Sequence, residues 1–225
     1  MAKTIGNNRA KNANDSEQVI DKILADIYES LGSERRHIVG QVWQLLANGY
    51  PVPPDEVAVR LRISSDSVTA ALEEIGAEFD KEGNIVGFGL TLVPTRHVYE
   101  VDGRKLYTWC AADALGFPVV LKQNANIESP DLVTGKKIRI SVTPDRVEKI
   151  DPKSAVVSWV KNIDVKNIRG SGCNNCNFFS SQETATIWIA DHPDQTIYPV
   201  NDIYKTLKKI YLHKHQDIMP ACKIC

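Results

Sequence analysis

From Leu106 to Leu121 the chain carries a single charged side chain, Asp113, with Lys105 before the run and Lys122 after it. So apolar a stretch must be buried. Its acid must therefore be paired, hydrogen-bonded or neutral, because an isolated buried carboxylate is costly. Cys110 stands three positions upstream. If the run is helical from Leu106, then Leu106, Trp109, Cys110, Asp113 and Phe117 share one face. That face meets the core and sets the thiol beside the acid. Burial disfavours the charged form of each group, so the carboxyl can hold a proton near neutrality and deliver it to a reaction.

The rest of the chain limits what surrounds this run. It has 225 residues, a formal net charge of -1 and 24% charged residues. That balance gives no pull toward nucleic acid or an anionic membrane surface. No apolar stretch reaches the roughly 20 residues needed to span a bilayer. The polar start, MAKTIGNNRAKNANDS, has no apolar signal core. A cytoplasmic protein with a flexible arm over 1–16 is expected. Five cysteines, an odd number, suit thiol or metal chemistry better than a disulfide framework.

Apolar spacing predicts a helix capped by Asp15 or Ser16 and ended by Gly32, then a second helix to Leu46. Pro53-Pro54 opens a third, and Ser64 to Ile75 forms a fourth. Asp80-Lys81-Glu82-Gly83-Asn84 turns between two short strands, the second holding Phe88, Leu90 and Leu92. Helices followed by a hairpin suggest a winged helix over 17–94. Its candidate recognition helix, 64–78, carries Asp66, Glu73, Glu74 and Glu78 and no Lys or Arg. DNA affinity rests on cations meeting phosphates, so this unit reads as structural.

Past a tight boundary near 79–95, strands are expected at His97–Val101, around Ile138, Ile140 and Val142, at 155–160 and at 186–190. Asp102-Gly103 is a hairpin turn, and Asn201 caps a late helix. The fold class is α+β: a helical winged-helix-like amino-terminal part packed on a mixed domain of short antiparallel strands and helices over 95–215. A cysteine-containing tail follows at 216–225.

Two C-x-x-C pairs remain, Cys173/Cys176 in a Gly- and Asn-rich loop and Cys222/Cys225 at the tail. Together they could make a four-thiolate zinc site, although their separation far exceeds zinc-ribbon spacing. The five histidines form no ligand pattern.

The segments 80–92 and 106–118, the latter reading LYTWCAADALGFP, together with Cys173 five residues before Phe178-Phe179, resemble organomercurial (alkylmercury) lyase. The resemblance runs from about Val39 to Ser180. It implies protonolysis of a carbon–mercury bond to a hydrocarbon and Hg(II), with Cys110, Asp113 and Cys173 as the catalytic and mercury-binding residues. It implies no metal cofactor and a need for external low-molecular-weight thiols to clear the product. It also fits a winged helix that does not read DNA. The chain departs from the family pattern after Cys173. Asn174 stands where a second cysteine often follows, and the extra thiol is Cys176. Cys176, Cys222 and Cys225 become further candidate mercury ligands, and the tail pair could pass Hg(II) to a mercuric reductase. Two other readings stay open: a metal- or thiol-responsive winged-helix regulator, and a zinc-stabilised interaction module.

Overall fold

The computed structural model describes residues 13–213 and Ile218, with side chains from Glu17 onward. The first helix, α1 (Ala13–Leu46), is broken at Gly32, which takes φ 68° and ψ 164°. Sequence spacing placed a helix end there. The helix starts ahead of Asp15 and Ser16, and any cap they form lies outside the described side chains. Next come α2 (Pro54–Leu61), with Pro54 as its first residue, and α3 (Ser65–Glu74), whose Ser64 side chain accepts the Ser67 N–H. Val57, Val68 and Leu72 turn inward, while Asp66, Glu73 and Glu74 stay exposed.

Five short strands follow: β1 (Glu78–Phe79), β2 (Ile85–Phe88), β3 (Leu90–Thr91), β4 (His97–Val101) and β5 (Arg104–Thr108). Glu78 is thus a strand residue and not part of the acidic helix. The strand expected through Phe88, Leu90 and Leu92 is cut at Gly89, whose φ of +71° reverses the chain. Asp102 and Gly103 both take positive φ, 48° and 74°, the geometry that fits a two-residue hairpin between twisted strands.

After β5 comes α4 (Ala111–Leu121), then β6 (Ala125–Pro130), β7 (Lys137–Val142), β8 (Val147–Asp151) and β9 (Val156–Val160). A short helix α5 (Ile168–Ser171) leads into a 3-10 turn, Cys173–Asn175. The chain continues through β10 (Phe178–Phe179), α6 (Gln182–Ile189), β11 (Gln195–Pro199) and α7 (Val200–His213).

An eight-stranded antiparallel sheet has the order β1-β2-β3-β5-β4-β6-β7-β8, and a three-stranded one the order β10-β9-β11. The larger sheet runs without a gap from the hairpin after α3 to β8. Strand β7 alternates, with Ile138, Ile140 and Val142 inward. Strand β9 is buried at every position, as expected of a central strand covered on both faces.

Three further expectations fail. Asn201, expected as a cap, lies inside α7, which starts at Val200. Of the residues expected as a strand at 186–190, 186–189 belong to α6 and Ala190 caps its end. Ser181 accepts the Thr184 N–H at 3.4 Å, and Thr184 Oγ1 accepts the Ser181 N–H at 3.3 Å. This reciprocal cap starts a helix and overrides the apolar run. Leu106, placed on a helical stripe with Cys110, sits in β5, because the Asp102-Gly103 turn pairs 104–108 with β4. The helix begins only at Ala111.

Helix α4 is apolar on nearly every side and is buried accordingly. It packs between the large sheet and α7, which offers Ile203, Leu207 and Ile210. Contact is so close at Gly116 that an added Cβ would lie 2.9 Å from Tyr211 Cε2. Both ends of the Leu106–Leu121 run are thereby fixed, and so is the residue where strand becomes helix.

Candidate active site

That residue is Cys110. It has extended dihedrals and caps α4, its Sγ accepting the Asp113 N–H at 3.4 Å. Its carbonyl accepts from Thr108 Oγ1 at 3.0 Å. The thiol therefore lies at a helix amino terminus, where partial positive charge favours an anion. Asp113 falls one turn later on the same side.

The third member comes from the loop before β10. The Ala111 N–H donates to the carbonyl of Cys176 at 3.0 Å, tying this loop to the start of α4. The 3-10 turn then directs Cys173 inward. Cys110 Sγ, Cys173 Sγ and a carboxylate oxygen of Asp113 all lie within 4.8 Å of one another. Cys110, Cys173 and Cys176 are free and buried. Cys222 and Cys225 lie outside the described residues, as does any four-thiolate site built on them.

The acid leans on Gly89, where an added Cβ would fall 3.6 Å from Asp113 Cγ and 3.3 Å from Phe117 Cζ. Among the described residues Asp113 Oδ2 has no hydrogen-bond partner, and it is shut off from solvent. Two unit charges 4–5 Å apart repel by roughly 3–4 kcal/mol at an effective dielectric of about 20. A carboxylate and a thiolate therefore do not both ionise here.

The proton goes where the anion is worst supported. Burial, the neighbouring Cys110 thiolate and their shared hydrogen bond hold the Asp113 pKa well above the usual carboxylate range. Burial alone would raise Cys110. It is outweighed by the thiols of Cys173 and Cys176 and by the Asp113 N–H and carboxyl, and Cys110 falls well below an ordinary thiol. Cys173 is pushed up, first by its bond to Cys110 and then by burial; Cys176 is pushed up by burial and then by Cys110. These directions favour one thiolate flanked by thiols, with a neutral acid alongside.

These groups open on a cavity of about 120 Å³. Its walls include Ile23, Ile27 and Leu31 of α1, with Trp43, Trp109 and Trp159. Among the described residues of the lining Asp113 is the only carboxyl, and there is no Lys, Arg or His. Trp109 is braced from outside: its Nε1 donates to Glu78 Oε2 at 3.0 Å, and Arg169, ion-paired with Glu78, lies 4.6 Å over its ring.

Some participants were not singled out from the sequence. Gly89 carries no chemical signal, and its role appears only through its positive φ and what it touches. Tyr211 reads as an ordinary apolar-face residue of α7, yet it lines the cavity. Burial and then Asp113, Cys110 and Cys173 raise its pKa. His97 is buried with Nδ1 2.9 Å from Ser129 Oγ, and burial lowers its pKa to about 4, so it is neutral at pH 7.

A thiolate, further thiols and a protonated carboxyl at an apolar cavity define a centre for a soft, sulfur-seeking ligand held beside a proton donor. A family model for alkylmercury lyase matches residues 90–211, more than half of the sequence. The chain belongs to the alkylmercury lyase family. The alkylmercury lyase of Staphylococcus epidermidis is 42% identical over 163 residues, covering 72% of this chain and 76% of that protein. That of Bacillus cereus is 36% identical over 195 residues, covering 86% and 89%. Among solved structures, the mercury-bound form of MerB2 superposes with a TM-score of 0.74 at 22% identity, over 88% of this chain and 99% of that one. The likeness supports the mixed helix and antiparallel-sheet fold. Among the described residues no helix is long and apolar enough to cross a membrane.

Proposed function

We propose that the protein cleaves the carbon–mercury bond of organomercurials, R–Hg(+), by protonolysis, releasing RH and Hg(II), and so serves mercury detoxification. The observation that carries this reading is the meeting of Cys110, Asp113 and Cys173 within 4.8 Å of one another at an apolar cavity.

Each residue has a distinct task. The Cys110 thiolate attacks mercury, since sulfur is the soft ligand a protein offers a soft metal. Electron density from sulfur makes the carbon more carbanion-like, and the Cys173 sulfur strengthens this as it binds. Asp113 gives its proton to the carbon, the Hg–C bond breaks, and the electron pair becomes the C–H bond. Asp113 then takes the proton Cys173 loses on becoming a thiolate. The sum is RHg(+) plus one thiolate and one thiol, giving RH plus Hg(II) on two thiolates. A positioned general acid contributes about 10²–10⁴-fold, and the apolar walls receive R while keeping water from the carboxyl.

No resident metal cofactor enters this scheme, and mercury is substrate and product. External low-molecular-weight thiols clear Hg(II), with a mercuric reductase as a downstream acceptor, to which Cys222 and Cys225 could pass it. We read residues 17–94 as a winged-helix-like scaffold without a nucleic-acid role, 95–215 as the catalytic part, and the protein as cytoplasmic. The exposed acids of α3 support that scaffold role.

The test is incubation with a phenylmercuric salt and excess thiol, with benzene measured. Benzene should form with the unmutated protein, fail with Cys110→Ala and Asp113→Ala, and persist with Cys222→Ala. No benzene from the folded, unmutated protein overturns the proposal.

A further inference from the structure

Cys176 has no task in the scheme above, yet it belongs to the same buried group. It is 5% exposed, carries a free thiol and lines the cavity with Cys110, Cys173 and Asp113. Its backbone is held on both sides. Its N–H donates to the Cys173 carbonyl at 3.1 Å, and its own carbonyl accepts the Ala111 N–H at 3.0 Å. This places a second loop thiol against the helix start that carries Cys110. Cys176 nevertheless falls outside the set of ligand atoms lying within 4.8 Å of one another. It is thus close to the reacting group but not part of it.

We infer that Cys176 is a product ligand: once the organic group has left, its sulfur joins those of Cys110 and Cys173 to hold Hg(II) in a three-sulfur site. The inference rests on the proposed lyase reading and deepens it. While R occupies mercury, carbon and two sulfurs fill the metal's near positions. Loss of RH frees one, and the cavity offers a third soft donor for it. No redox change is involved. The Cys176 S–H bond breaks, an Hg–S bond forms, and the proton passes to a buffer base in solution. Added external thiols must then displace three protein sulfurs. Cys176 so raises retention of Hg(II) and, with it, the thiol demand of turnover.

The test counts sulfur around mercury. The full-length chain with Cys222→Ser and Cys225→Ser, freed of small thiols, is loaded with one equivalent of mercuric chloride. It is then examined by X-ray absorption and by ultraviolet sulfur-to-mercury charge-transfer bands. Three sulfurs are expected, falling to two when Cys176→Ser is added, together with a severalfold drop in the external thiol needed to strip half the metal. Two sulfurs in the chain that retains Cys176 overturn the inference, whether or not the Cys176→Ser protein folds. A mercury-free portion of the same Cys222→Ser, Cys225→Ser protein, with excess thiol restored, is assayed for benzene release from phenylmercury. Failure there strikes the lyase reading, whereas benzene release with a two-sulfur product strikes only the role of Cys176.

Discussion

Asp113→Asn separates the acid's chemistry from its place in the fold. The amide matches the carboxyl in shape but has no proton to give. Loss of a general acid worth about 10²–10⁴-fold raises the barrier by about 2.7–5.4 kcal/mol. Benzene release should fall by that factor.

Stability should move the other way. In the folded state the Asp113 pKa is raised, by burial and then by the Cys110 thiolate, while in the unfolded chain it is about 3.9. Above pH 4 the unfolded chain releases this proton and the folded protein keeps it. Native stability therefore drops by about 1.36 kcal/mol per pH unit until the folded pKa is reached. Asparagine has no such linkage. The variant should melt above the unmutated protein at pH 7, with the gap closing as the pH is lowered to 4. Thermal melts at the two pH values, run beside the benzene assay, check both halves. Benzene release within tenfold of the unmutated rate refutes the proton-donor role. A variant less stable at pH 7 by the same margin as at pH 4 refutes the claim that Asp113 is buried neutral.

Gly89→Ala forces a side chain into the left-handed region at a cost of about 1–2 kcal/mol, and its Cβ meets Phe117 and the Asp113 carboxyl. Melting should drop accordingly, and benzene release should fall by about tenfold or more, since small misplacements of reacting groups are expensive. Asp131 is buried and accepts Ser180 N–H at 2.6 Å, Ser180 Oγ at 2.7 Å and Thr184 Oγ1 at 2.7 Å, fixing the segment after β10. Although burial would raise its pKa, these bonds hold it far below the usual range. Asp131→Asn should cost about 2–4 kcal/mol at pH 7, as read by denaturant melts. The loss should shrink as the pH falls below 4, where the native carboxylate forfeits the same contribution. Arg169→Ala removes the ion pair with Glu78 and the support over Trp109. It should cost about 0.5–2 kcal/mol and raise KM for an arylmercurial more than it lowers kcat.

What the sequence disclosed followed from local rules. Gly32, Pro54 and Asp102-Gly103 mark chain direction through their own dihedrals, and the bounds they predict agree with the fold. The lone acid in an apolar run announced a special carboxyl for the same reason the structure supports: a buried charge needs an account. The helix expected from Leu106 failed because pairing with β4 is a non-local contact that no window of sequence contains. The segment 186–190 misled because an apolar run reads alike as buried strand or helix, and the cap that decides lies upstream at Ser181 and Thr184. Glu78 looked like one more acid on a charged helix. Its bonds to Trp109, Thr91 and Arg169 join residues far apart along the chain. Cys176 could be counted but not placed, since the Ala111–Cys176 backbone bond that brings it to Cys110 joins residues far apart along the chain.

That bond bears on when the protein becomes competent. The halves of the sulfur site are separated by α4, β6 through β9 and α5, so ribosomal synthesis delivers Cys110 well before its companions. A half-made chain, or one opened by heat, meets organomercury with isolated thiols and no sheltered acid. It can be poisoned by the compound but cannot destroy it. On the proposed reading, detoxifying capacity arises only when the loop that carries Cys173 and Cys176 closes over the start of α4.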